Sequence, residues 1–208
     1  MHTLEFFFDC SSPWTYLAFE SVQKMRARID FNIVWRPILV GGIFNTVNPS
    51  VYENRAKPVP VKARYYQKDL RDWAHHVGIT IGQPPVFPVN SVKAMRGCLL
   101  LEPEGRLVPF ASAVFEAYWT RDLDISQDAV LAELCERVGV EPARFFEGIA
   151  RPEIKAGLKA NTDEVIARGG FGSPTIFVGG DDMYFGNDRL GLVREAVLRR
   201  QAAARATA

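Results

Sequence analysis

F-F-F-D-C-S-S-P-W-T-Y, Phe6 to Tyr16, decides how the rest of this 208-residue chain is read. Three consecutive Phe are β-favouring and read as a buried strand that ends at Asp9. Pro13 follows where a helix begins, a position that tolerates it because its missing N–H has no intrahelical partner. Ala18, Val22, Met25 and Ile29 then recur at spacings of four, three and four, one face of a helix. Ser12 therefore stands where a strand meets a helix N-terminus, and there free amides and the positive end of the helix dipole favour an anion. On spacing alone, an ordinary N-cap is the favoured reading of it.

Lys plus Arg number 25 against 24 Asp plus Glu, a formal net charge of +1, so nothing points to nucleic acid or to a membrane surface. No stretch approaches the roughly 18 apolar residues of a membrane span. Glu5 and Asp9 interrupt the N-terminal apolar run, so no signal peptide is expected. Cys10, Cys98 and Cys135 are far apart and make neither a CxxC pair nor a metal-ligand spacing. Inert core thiols, no metal, and a reducing, cytoplasmic compartment are the expectation. His75 and His76 are neighbours on a helical stretch, so their side chains diverge and do not chelate one ion.

Further along, Phe31 to Ile38 reads as a second strand with Phe31, Ile33 and Trp35 on one face, making a βαβ unit whose two strands run parallel. Asn45 to Pro60 reads as a polar loop. Ala63, Tyr66, Leu70, Trp73 and Val77 then mark a long helix stopped by Gly78. More helices are expected at Val92–Leu101, around Leu107 to Tyr118, around Leu131 to Val138, and from Pro152 to Arg168. After Gly169 the pattern returns to strand at Pro174–Val178 and Met183–Phe185, with a turn between, and Asp188 opens a last helix. The tail from Gln201 is expected to fray. Residues 1–40 (βαβ) and 169–208 (ββα) read as two pieces of one four-stranded sheet, and residues 41–168 as a helical insertion.

That order, with a Pro ahead of the third strand, resembles a thioredoxin-like α/β fold carrying a large all-helical insertion. A thioredoxin-type enzyme keeps Cys-Pro-x-Cys where this chain has Ser12-Pro13-Trp14-Thr15, so dithiol chemistry is excluded. The motifs F-D-C-S-S-P-W-T-Y-L-A at 8–18, K-A-R-Y-Y-Q-K-D-L-R-D-W-A at 62–74, G-F-G-S-P-T at 170–175 and F-G-N-D-R-L at 185–190 are similar to one DsbA-related branch. This branch contains the kappa-class glutathione transferases and the 2-hydroxychromene-2-carboxylate isomerases. The resemblance implies a cis Pro174, glutathione as cofactor and an aromatic or chromene carboxylate as substrate; it also implies a homodimer. It matches Ser12 to the hydroxyl that donates to the glutathione sulfur, and Ser173 to the residue whose backbone pairs with the cysteinyl part. Asn187 and Asp188 match the pair at the γ-glutamyl end, and Lys62 a lysine near a carboxylate. Asn45 and Asn48 fall in the loop on the substrate side.

For a thiol of ordinary pKa ~8.5, a two-unit drop is worth about 2.7 kcal/mol. One hydroxyl bond to a charged sulfur supplies roughly 1.5–3 kcal/mol and a helix N-terminus about 0.3–1, which together suffice. The reaction the resemblance implies is reversible addition of that thiolate to a conjugated double bond, with rotation and elimination, and a donor for the enolate. Lys62, Asn48 and Asn90 are the candidate donors, and Trp14 a candidate wall of the substrate pocket. Lys62 equally fits a solvated residue at a helix start. Beside the isomerase reading stand a kappa-class transferase that conjugates electrophiles and a thioredoxin-like module that binds without catalysis.

Overall fold

The computed structural model describes residues 3–206, and among them ten α-helices surround one four-stranded sheet. Its strands are β1 (Thr3–Phe8), β2 (Asn32–Pro37), β3 (Thr175–Val178) and β4 (Asp182–Phe185), in the order β2-β1-β3-β4. β1 runs parallel to β2, with Phe6 opposite Trp35, and antiparallel to β3, with Phe6 opposite Ile176. β3 and β4 form an antiparallel hairpin. Helix α1 (Pro13–Arg26) makes the crossover between the two parallel strands, as the βαβ reading requires.

The triple Phe of β1 is explained by cover on both faces of the sheet, which removes the usual alternation of apolar and polar residues. Phe6 and Phe8 point to the larger core, where Phe8, Phe19 of α1, Trp35 and Phe115 pack with ring centroids 4.8–6.4 Å apart. Phe7 points the other way, edge-on to Phe177 at 5.7 Å. Each such fully buried ring contributes on the order of 2–3 kcal/mol by leaving water.

Between β2 and β3 lie α2 (Val40–Val47), α3 (Ser50–Ala56), α4 (Pro60–Val77), α5 (Val92–Leu101), α6 (Leu107–Phe115), α7 (Asp128–Arg137), α8 (Pro142–Ala150) and α9 (Pro152–Ala167). A π-helical turn, Glu116–Thr120, continues α6. Gly78 ends α4 in the left-handed conformation, at φ 79°. Gly97 lets α8 approach α5, because a Cβ there would stand 2.5 Å from Phe145.

Three expectations are corrected. Asn45 to Pro60 is not a loop: it holds the end of α2, all of α3 and the first residue of α4. Only Val40 and Ile43 of α2 and no residue of α3 are buried, so neither helix displays the apolar stripe by which sequence betrays a helix. Helix α8, with Phe145 and Ile149 buried, was unforeseen. The tail does not fray at Gln201: α10 runs Leu190–Ala206, its alanines being strong helix formers, and the Gln201 side-chain amide donates to the Asp30 carbonyl. Thr207 and Ala208 lie outside the described residues.

Candidate functional site

The carboxyl end of β1 delivers Asp9 and then Ser11-Ser12 to the start of α1. Ser12 is the N-cap: its backbone is extended, and Thr15 N–H donates to its Oγ at 3.2 Å. The Ser12 hydroxyl donates in turn to the Ser173 carbonyl at 3.3 Å, long for an O–H···O bond and so weakly engaged. Ser173 stands in the loop ahead of β3 and is followed by a cis bond to the buried Pro174. Its own hydroxyl accepts from Asp9 N–H at 3.0 Å and lies 2.8 Å from the Thr15 hydroxyl.

Beside this junction opens a cavity of about 540 Å³, inside the roughly 300–1,000 Å³ range of small-molecule sites. Ser12, Ser173, Trp14, Asn48 and Asn90 line it, together with Phe44, Tyr66 and Phe87. The Trp14 indole N–H donates to the Tyr66 hydroxyl at 2.9 Å, which fixes that wall. Asn48 Nδ2 donates to the Phe171 carbonyl at 3.1 Å, and Asn90 Oδ1 accepts from Val92 N–H at 3.1 Å.

A second hollow, about 330 Å³, lies along the start of the short 3-10 turn Asn187–Arg189 and shares Trp14, Ser173 and Phe185 with the first. Asn187 and Asp188 line it. Asn187 is 7% exposed, and its Nδ2 has no hydrogen-bond partner. An orphaned buried donor of this kind is uncommon, and it leaves the Asn187 amide with an unused hydrogen-bonding capacity on the wall of this hollow. The Asp188 carboxylate accepts from Arg189 at 2.9 Å and remains half exposed. The two hollows meet at Trp14, Ser173 and Phe185, so they form one continuous groove that passes Ser12 at one end and Asn187 at the other.

Two of the anticipated residues are not part of these walls. Lys62 is exposed on the first turn of α4 and Asn45 is exposed at the outer side of α2; neither lines either hollow. A cation is ill placed at a helix start, and solvent is its better partner.

Asp9 and Arg55 line the larger cavity without having been singled out. Asp9 is buried, its two carboxylate oxygens accepting from Ser11 N–H and Val40 N–H, both at 2.9 Å. Burial pushes its carboxyl above the ordinary range, opposed by those amides and by the Ser91 hydroxyl. It ties the Ser11–Ser12 turn, the start of α2 and the start of α5 into one frame. Its signal was present in the sequence, as a carboxylate directly after three apolar strand residues. Arg55, on α3, carries its guanidinium 5.1 Å from the Phe87 ring centre and 5.6 Å from that of Phe44. No periodicity announced it.

Among the described residues no group of three or more His, Cys, Asp or Glu is placed to hold a metal ion, and no helix is long and apolar enough to cross a membrane. All three cysteines are buried.

The model of the DSBA-like thioredoxin domain matches residues 3–198. Over 201 residues the chain is 29% identical to the 2-hydroxychromene-2-carboxylate isomerase of Pseudomonas putida, covering 94% of each. It is 29% identical over 207 residues to human glutathione S-transferase kappa 1, covering 92% of this chain and 88% of that one. Among solved structures, a 2-hydroxychromene-2-carboxylate isomerase superposes with a TM-score of 0.82 at 26% identity, over 97% of this chain and 98% of the other. The cytosolic disulfide reductase DsbM of Pseudomonas aeruginosa, solved with GSH, shares the fold with a TM-score of 0.65 at 18% identity, over 97% and 99% of the two chains. The chain thus belongs to the DSBA-like thioredoxin domain family, with the 2-hydroxychromene-2-carboxylate isomerases and kappa-class glutathione transferases as its relatives.

Proposed function

We propose that this protein is a glutathione-dependent cis–trans isomerase of conjugated aromatic acids, of the 2-hydroxychromene-2-carboxylate type. The observation that carries the reading is the Ser12 hydroxyl: it sits at the N-terminus of α1, on the wall of the larger cavity, with its proton only loosely committed to Ser173. The relatives' names support the reaction class.

Bound glutathione supplies a thiolate able to add reversibly to a conjugated double bond. The chain's own residues do the rest. Ser12 turns its hydroxyl proton from the Ser173 carbonyl toward the sulfur and, with the first amides of α1, stabilises negative charge there. The Ser173 backbone, at the cis bond to Pro174, holds the extended peptide. Asp188 receives the ammonium of its γ-glutamyl end, and the α-carboxylate next to that ammonium accepts from the orphaned Asn187 Nδ2. Asn48 and Asn90 offer amide donors on the substrate side. No thiol of the chain faces the cavity, so no mixed disulfide competes. The reading includes a homodimeric, cytoplasmic enzyme of aromatic-compound breakdown.

The rival is irreversible conjugation, as the name of the human relative has it. Incubation of a chromene-2-carboxylate with the protein and substoichiometric glutathione separates the two. Isomer formation with free thiol conserved supports the isomerase. Thiol loss in proportion to product identifies a transferase, and no turnover with glutathione bound identifies a binding module.

A further inference from the structure

The larger cavity is walled by aromatic, aliphatic and neutral polar side chains, and only two of its lining residues are charged: Asp9 and Arg55. Asp9 is spent within the protein, its oxygens taken by Ser11 N–H and Val40 N–H. Arg55 is different. Among the described residues no carboxylate lies within 4 Å of it, and its guanidinium is steadied between Phe44 and Phe87 rather than by an anion. Planar guanidinium groups held by aromatic contact keep their edge donors free for bidentate binding. Its positive charge also reaches the Tyr66 and Tyr118 hydroxyls.

We infer that Arg55 is the specificity-determining residue of this cavity, receiving the carboxylate of a planar conjugated substrate whose rings lie against the aromatic walls. This deepens the isomerase reading and rests on it. An arginine with no carboxylate partner, in a cavity with no other available charge, makes a neutral molecule of the same shape a poorer guest, since the anion gains a charge-assisted pair that the ester cannot form.

The test is calorimetric titration of the whole protein with trans-cinnamate and with methyl trans-cinnamate, each with and without S-methylglutathione. The wild type is expected to bind the acid at least about tenfold more tightly than the ester. Arg55→Met, which keeps the stem over the rings, should bring the ratio to within about twofold by weakening the acid alone. Arg55→Lys should retain a preference of at least about threefold. Circular dichroism checks that the variants fold, as an exposed position allows. No acid binding by the wild type, a wild-type ratio near one, or an unchanged ratio in Arg55→Met overturns the inference. So does a loss of S-methylglutathione affinity in Arg55→Met with the acid–ester ratio intact, which would assign Arg55 to the tripeptide. Should S-methylglutathione fail to bind the wild type while the ratio behaves as expected, the glutathione reading falls and the assignment of Arg55 stands.

Discussion

The hydroxyls of Thr15 and Ser173 lie 2.8 Å apart, although 158 residues separate them in sequence. This contact joins the first helix to the loop before β3, and the same Ser173 hydroxyl accepts the buried Asp9 N–H. Where a thioredoxin-type Cys-Pro-x-Cys has two thiols, this chain has two hydroxyls, Ser12 and Thr15, both in contact with Ser173. Ser173→Ala leaves the Asp9 amide and the Thr15 hydroxyl without their partner in a dry place. The expected cost is roughly 2–3 kcal/mol, read by chemical denaturation. A loss below about 0.5 kcal/mol would mean that water replaces the serine at no cost.

Ser12→Ala removes an N-cap and the proposed sulfur donor together. The cap accounts for about 1 kcal/mol of stability. On the proposed mechanism the donor accounts for turnover, which should fall at least about tenfold while glutathione binding persists, because the proposed binding mode spreads that affinity over the second hollow. Unchanged turnover at the same glutathione saturation removes Ser12 from the mechanism.

The strand–helix junction at Phe6 to Tyr16 was legible because every local cue agreed: apolar strand, N-cap, Pro at the first helical turn, then a clean helical face. The parallel pair and the terminal hairpin followed from the spacing of the strands. What stayed hidden was the wall of the cavity. Helices α2 and α3 bury little, so Asn45 to Pro60 carried no periodic signal, and Arg55 looked like any surface arginine until Phe44 and Phe87 met around it. Lys62, matched by motif to a lysine near a carboxylate, is exposed at the start of α4 and lines neither hollow. Asp9 was read as the end of a strand, and only the third dimension shows it gathering Ser11 and Val40.

The thiols are expected to be silent. Cys10, Cys98 and Cys135 are fully buried, burial pushes the Cys10 thiol well up, and that of Cys135 is raised to about 12. A thiol-reactive probe applied at about pH 8 should therefore label none of them in the folded protein and all of them in denaturant. Cys10→Ala should keep its glutathione-dependent turnover. Rapid labelling of Cys10 in the native state, or a dead variant, would point to redox chemistry at this position.

Glu5 supplies the pH dependence. Its carboxylate pairs with Arg168 at 2.7 Å, and Arg168 lies over the Phe177 ring at 3.7 Å, so the pair locks α9 onto the sheet. The hydrogen bond and charge of Arg168 outweigh burial and hold the carboxyl below its ordinary value of 4.5. A carboxylate with a lowered folded value contributes stability that is fully present above the unfolded value and lost as pH falls through the folded one. Glu5→Gln should thus cost roughly 1–2 kcal/mol at neutral pH, the pair being partly screened by solvent. Thermal melts of the two proteins should converge as the pH drops below about 4.5, since protonation removes from the wild type what the substitution has already removed. A gap that stays constant down to acid pH would show that Glu5 acts through packing rather than through its charge.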